Sequence, residues 1–170
     1  SPPSSEMSSS SESVRTVIDK REGTMLNGDV FVLSAPYHGG THLPDVTVIT
    51  PVFDSAGGEI LFYVGSRGHH ADIGGTTPGS MPPDSTSVLQ EGVLLDNVLV
   101  VDAGRFCERA LRELLTAGRW PSRNPEQNIA DLRAQIAACA KGAAELTRVS
   151  GEYGRDVVTH YMGHVQDNAE

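Results

Sequence analysis

Four of the six histidines fall in two short clusters, His38-Gly39-Gly40-Thr41-His42-Leu43-Pro44-Asp45 and Arg67-Gly68-His69-His70-Ala71-Asp72-Ile73-Gly74-Gly75. Imidazoles and carboxylates converging on glycine-rich backbone suit a divalent cation that keeps one coordination position open. His42 and Asp45, three positions apart, share one side of a tight loop or helical turn, and Pro44 stiffens the approach. If the segment between the clusters folds back, His69 joins them. His42, Asp45 and His69 are therefore the candidate metal ligands, a two-histidine, one-carboxylate set with room for water or substrate. The bland alternative is a pair of surface-loop histidines and a strand-capping aspartate.

Around this set stand further candidates. His70 follows His69 directly, and neighbouring residues cannot easily share one metal, so it belongs behind the ligands. Asp72 is expected either to orient an imidazole and move a proton, or to cap the turn into Ile73-Gly74-Gly75. Arg67 is a candidate for neutralising an oxyanion or a phosphorylated intermediate, with a surface ion pair as the alternative. Asp72, His70 and Arg67 form the candidate catalytic group. Gly39, Gly40, Thr41 and Ser80 are the candidate substrate contacts, since glycine pairs let backbone N–H groups approach a ligand. Neither glycine pair sits in a nucleotide-binding pattern. His160 and His164 stand four apart but lack the glutamate of a zinc-protease motif, so a helix surface is the expectation for them.

The elements that must position these groups are legible in part. Ser1–Ser13 is serine- and proline-rich and is expected to be disordered or loosely attached, with Val14–Arg21 as a short helix. Asp29–Ser34 alternates like a strand. Val46–Val52 and Glu59–Val64 read as the arms of a β-hairpin around Asp54-Ser55-Ala56-Gly57-Gly58. That hairpin carries the metal argument, because its arms begin after Asp45 and end before Arg67, at one open end. Residues 74–84 form a long Gly/Pro/Ser/Thr loop expected to be functional or flexible. Val93–Val101 reads as another strand. Helical periodicity then takes over in Arg105–Ala117 and again after Asn124-Pro125, an N-cap and first-turn proline. This second helix should bury Ile129, Leu132, Ile136, Cys139 and Ala143, with Gly151 breaking it before another helix over Val157–Gln166. Strands followed by helices predict an α+β class: a hairpin-containing mixed sheet with a C-terminal helical segment.

Composition narrows the function classes. Thirteen basic against 22 acidic residues give a net charge of −9, and no Lys/Arg block offers a nucleic-acid face. No apolar run is long enough to span a bilayer, so neither nucleic acid nor membrane is an expected partner. Cys107 and Cys139 lie in helical patterns with no CxxC spacing, and are expected to be buried free thiols of a cytoplasmic protein.

The stretches GDVFVLSAPYHGGTHLPDVTVITPVF, FYVGSRGHHADIGGTTPGSMPP, DLRAQIAACAKG and YMGHVQDNAE together resemble the hydantoinase B/5-oxoprolinase family, in the family's own order. The wording is nearer to ATP-dependent 5-oxoprolinases than to the carboxylases of the superfamily. The resemblance implies residues 1–10 as a Ser/Pro-rich segment and 11–170 as a partial domain of a larger B-type half. It implies a divalent metal, manganese or zinc, on His42, Asp45 and His69. It also implies a partner, the hydantoinase A-type half, fused or separate, which binds ATP with magnesium and phosphorylates the amide oxygen of a cyclic amide. The B-type half then handles the activated carbonyl; for 5-oxoproline the products are glutamate, ADP and phosphate. An oligomer is expected for the full-length protein. Competing readings are a subunit of an ATP-dependent ketone carboxylase and a non-catalytic metal-binding piece. A mononuclear iron oxygenase ranks last, because its HxD spacing is absent.

Overall fold

The computed structural model describes residues 9–34, 43–80 and 82–153. His38 to His42, the helix expected over 157–166, and His160 with His164 lie outside them. The chain order is α1 (Ser9–Arg21), β1 (Val30–Leu33), β2 (Asp45–Phe53), β3 (Ile60–His69), α2 (Val88–Glu91), β4 (Val98–Asp102), β5 (Arg105–Phe106), α3 (Glu108–Thr116) and α4 (Pro125–Tyr153). The strands form one sheet in the order β3-β2-β1-β4-β5. Every pairing is antiparallel. The α+β expectation holds, and the sheet expected to be mixed is antiparallel throughout the described residues.

Period-two alternation divides the apolar residues between two faces. On one face Val30, Val32, Val46, Val48 and Val100 pack with Leu111, Leu115, Ile129, Leu132 and Cys139, so α3 and α4 cover it. On the other, Phe31, Leu33 and Ile49 meet Val17 of α1. Both faces of β1 are thereby buried, which explains a strand, VFVL, with no polar residue.

Several elements depart from expectation for identifiable reasons. Helix α1 starts at Ser9 rather than Val14; Ser13 is fully buried, so tertiary packing overrides the poor helix propensity of serine. Strand β3 runs on through Gly65-Ser66-Arg67-Gly68 to His69. Its ladder with β2 supplies what those weak strand formers lack locally. Residues 93–97 are not strand; the backbone there bonds sideways, Val93 N–H to the Ile73 carbonyl and the Leu95 carbonyl from Ser34 N–H. The α3 helix starts only after a two-residue strand at Arg105–Phe106. Asn124 caps α4 as expected, its Oδ1 accepting from Gln127 N–H at 3.2 Å. Gly151 does not break α4, which reaches Tyr153. Cys139 is buried, whereas Cys107, at the entrance to α3, is half-exposed.

Candidate metal centre

The extended β3 sets the geometry. Asp45 and His69 are directly opposite one another in the β2–β3 ladder, with Val46 opposite Gly68 and Thr47 opposite Arg67. Opposed residues of an antiparallel pair project from the same face. His69 Nδ1 accordingly lies 2.8 Å from Asp45 Oδ1, the imidazole being more than half exposed and the carboxylate largely covered. One row along, Arg67 Nε donates to Thr47 Oγ1 at 3.1 Å. The open end of the hairpin therefore gathers an imidazole, a carboxylate and a guanidinium on one face.

These donors fit a divalent cation. Two ligands of one zinc at ordinary bond lengths stand roughly 3.0–3.4 Å apart, so Asp45 Oδ1 and a deprotonated His69 Nδ1, now 2.8 Å apart, would need to separate by only a few tenths of an ångström to hold one ion together. Alternatively, the carboxylate accepts Nδ1–H and the neutral ring offers Nε2, a common arrangement for metal-binding histidines. Among the described residues no three His, Cys, Asp or Glu side chains converge. The third expected ligand, His42, lies outside those residues, as do Gly39, Gly40 and Thr41.

His70 follows the opposite course, as strand alternation requires. Its N–H still bonds the Pro44 carbonyl at 2.8 Å, continuing the ladder one step, and its ring turns toward α4, 1% exposed. There Nε2 meets Gln135 Oε1 and Nδ1 meets Asn128 Nδ2, both at 3.0 Å. With both nitrogens engaged and the ring shielded, His70 stands behind the Asp45–His69 pair.

Asp72 is a clamp. Oδ1 accepts from Gly74 N–H (2.9 Å) and Arg123 N–H (3.2 Å); Oδ2 accepts from Gly79 N–H and Arg123 Nη1, both at 2.9 Å. Burial is the largest single influence and raises its pKa. The three backbone donors and the Arg123 guanidinium together outweigh it, holding the carboxyl below its usual range. Of the two readings of Asp72 from sequence, this geometry favours the turn cap over proton transfer.

The loop expected to be functional or flexible is tied down from several sides. Ser80 is 1% exposed at a φ of 56°. Its hydroxyl donates to the Gly74 carbonyl and accepts from Ile73 N–H at 2.8 Å. Ser80 thus closes the loop on itself, where sequence suggested a substrate contact. Gly74, at φ +92°, is required for a packing reason: a Cβ there would sit 2.4 Å from the Trp120 carbonyl oxygen. The N–H groups expected to meet a ligand are used internally, Gly74 to Asp72 and Gly75 to the Trp120 carbonyl.

Sequence reasoning missed Asn128, Gln135, Ser122 and Arg123. A signal existed for two of them. Asn128 and Gln135 fall in line with Leu132 and Cys139 on the buried face of α4, and amides inside an apolar stripe call for partners. Arg123, with Nη2 on the Gly75 carbonyl at 2.8 Å, lies in an unpatterned loop and left no such sign.

With a five-stranded antiparallel sheet, a helix backing it and a paired His and Asp at one hairpin end, the fold and the family agree. The family model for hydantoinase B/oxoprolinase matches residues 4–170, and the chain belongs to that family. A 5-oxoprolinase of Dictyostelium discoideum is 50% identical over 143 residues, covering 84% of this chain and 11% of that protein. The 5-oxoprolinase 1 of Arabidopsis thaliana is 46% identical over 160 residues, 89% of this chain and 12% of the relative. The chain thus spans about an eighth or less of the length of these two relatives. Among solved structures, the ATP-dependent caprolactamase from Pseudomonas jessenii superposes with a TM-score of 0.77 at 28% identity, over 93% of this chain and 26% of that one. An acetone carboxylase superposes with a TM-score of 0.73 at 21% identity, over 88% and 19%; that likeness is one of fold.

Proposed function

We propose that this chain is the cation-bearing part of an ATP-dependent hydrolase of cyclic amides, with 5-oxoproline, opened to glutamate, as the favoured substrate. The observation that carries the reading is the in-register Asp45–His69 pair, 2.8 Å apart at the hairpin's open end. Its family setting supports the substrate class, since several relatives at 40–50% identity bear the name 5-oxoprolinase.

In this reading His42, Asp45 and His69 hold a divalent ion, manganese or zinc, which would supply Lewis acidity and lower the pKa of a water at its open position. A lactam carbonyl is a poor electrophile. Transfer of the terminal phosphoryl group of ATP to its oxygen, in an A-type half that is fused or a separate subunit, creates a leaving group. Water then adds to the carbon and the ring C–N bond breaks, the departing amine taking up a proton, which leaves an acyl phosphate; a second water cleaves it to the carboxylate and free phosphate. Arg67, anchored by Thr47, offers positive charge beside the hairpin end where oxyanion and phosphate charge develop. Gly39, Gly40 and Thr41 remain the proposed substrate contacts. His70, Asp72 and Ser80 are assigned to support: their polar atoms are occupied by Gln135, Asn128, Arg123 and the loop backbone. Assembly into an oligomer and a cytoplasmic setting belong to the same proposal; both cysteines are unpaired, which suits a reducing compartment.

The test is ATP hydrolysis by the intact protein with its ATP-binding half. Phosphate release that depends on 5-oxoproline, matched one-to-one by glutamate, is the expected result. Release that ignores 5-oxoproline but responds to a ketone with bicarbonate would overturn the assignment in favour of a carboxylase.

A further inference from the structure

Two primary amides lie inside the layer between α4 and the sheet: Asn128, 2% exposed, and Gln135, 8% exposed. Burying an amide is unfavourable unless its polar atoms are paired, and here each one is. Asn128 Oδ1 accepts from Ser122 Oγ, while its Nδ2 faces the Asp72 carbonyl at 2.8 Å and His70 Nδ1 at 3.0 Å. Gln135 Nε2 faces the Val46 carbonyl at 2.9 Å and the Ser66 carbonyl at 3.3 Å, leaving Oε1 for His70 Nε2.

Only one proton assignment satisfies these partners. Carbonyl oxygens accept, so both amide nitrogens must point where they do. Asn128 therefore donates to His70 Nδ1, and Gln135 Oε1 accepts from His70 Nε2–H. His70 is a neutral ring with its proton on Nε2, acting as a peg between α4 and the end of β3.

The contacts of Gln135 bracket the Asp45–His69 pair. Val46 follows Asp45 on β2, Ser66 precedes His69 by three residues on β3, and His70 follows it. Gln135 thus ties together the two strands that carry the pair and the residue next to its imidazole. Gly68, opposite Val46, leaves room for this: a Cβ there would meet the Gln135 side-chain amide at 3.0–3.3 Å. The guanidinium of Arg67 and the imidazole of His69 lie on the other face of the strand, so α4 reaches them only through backbone position.

We propose that Gln135, assisted by Asn128 through His70, is a positioning residue for the Asp45–His69 centre, setting the separation of the two donors from the far side of the sheet. This rests on the reading of that pair as cation ligands. Partners that orient ligands from behind commonly govern metal affinity about 10- to 100-fold.

The experiment measures the Mn2+ dissociation constant of the intact protein by calorimetry, with the thermal midpoint of each variant recorded alongside. Gln135→Ala and Gly68→Ala are the perturbations, and Ile136→Ala, on the same helix without polar contacts, controls for loosened packing. His69→Ala tests the centre itself. Expected is a dissociation constant raised about 10- to 100-fold in Gln135→Ala and Gly68→Ala, with Ile136→Ala near wild type despite a lower midpoint. Because Gly68→Ala acts by displacing Gln135, it should add nothing to Gln135→Ala in the double variant. If His69→Ala loses Mn2+ while Gln135→Ala binds like wild type, or weakens no more than Ile136→Ala, the positioning role is overturned and the centre survives. Should His69→Ala bind Mn2+ as wild type does, the cation reading itself falls and the positioning role goes with it.

Discussion

Replacing Asp72 by asparagine isolates the clamp that holds the 74–80 loop against Arg123. The carboxylate accepts four N–H groups, two on each oxygen. Asparagine keeps one acceptor oxygen and turns an NH2 toward the other two donors, so at least two charge-assisted bonds are lost. Such bonds contribute about 1.5–3 kcal/mol each when shielded, but the Arg123 side chain is partly exposed, and that arm is discounted accordingly. The net expectation is about 2–3 kcal/mol of local stability. Read by hydrogen exchange at the Gly74 and Gly79 amides, that corresponds to protection lowered about 30- to 140-fold. The pH dependence carries its own sign. The folded carboxyl titrates below its unfolded value of about 3.9, so its contribution is present above that pH and is lost as pH falls through the folded pKa. Wild type should therefore converge on Asp72→Asn as the pH drops below about 4. Equal protection at pH 7, or a gap that stays constant into acid, would refute the clamp. Full loss of activity in Asp72→Asn with unchanged protection would return Asp72 to proton transfer.

Two further outcomes follow from the same packing. Gly74→Ala combines a left-handed φ with a Cβ 2.4 Å from the Trp120 carbonyl oxygen and should cost about 2 kcal/mol or more. Trypsin cutting after Arg123 should accelerate about tenfold or more, and unchanged cleavage would contradict the close approach. Burial pushes the Cys139 thiol up to about 11, whereas Cys107 is half-exposed. Iodoacetamide at pH 8, mapped by mass spectrometry, should label Cys107 and spare Cys139 until the protein is unfolded.

The hairpin was legible because VTVITPV and EILFYV carry β-branched and aromatic residues around a glycine turn, and the start of α4 because Asn124-Pro125 is a strong cap. The length of β3 was not. Gly65, Ser66 and Gly68 have poor strand propensity, and only the ladder to β2 holds them extended, yet this extension brings His69 opposite Asp45. The Asp45–His69 pairing could still be anticipated, since any hairpin places its two ends together. The division of labour between His69 and His70 follows from alternation once the strand is known to reach them. The roles of Asp72 and Ser80 were not legible for a different reason. Polar residues in a Gly/Pro loop read equally well as ligand contacts or as loop clamps, and only their partners, Arg123 and the Gly74 carbonyl, separate the two. Those partners lie far off in sequence or in the backbone, where no side-chain pattern announces them.

The central claim is that His69 and Asp45 grip one divalent ion. Pulsed EPR of Mn2+ bound to the intact protein reads the ligands directly through the nuclear modulation of coordinated imidazole nitrogen. The account predicts nitrogen modulation in the wild type that weakens by one imidazole in His69→Ala and is unaltered in His70→Gln. Modulation unchanged by His69→Ala would contradict it.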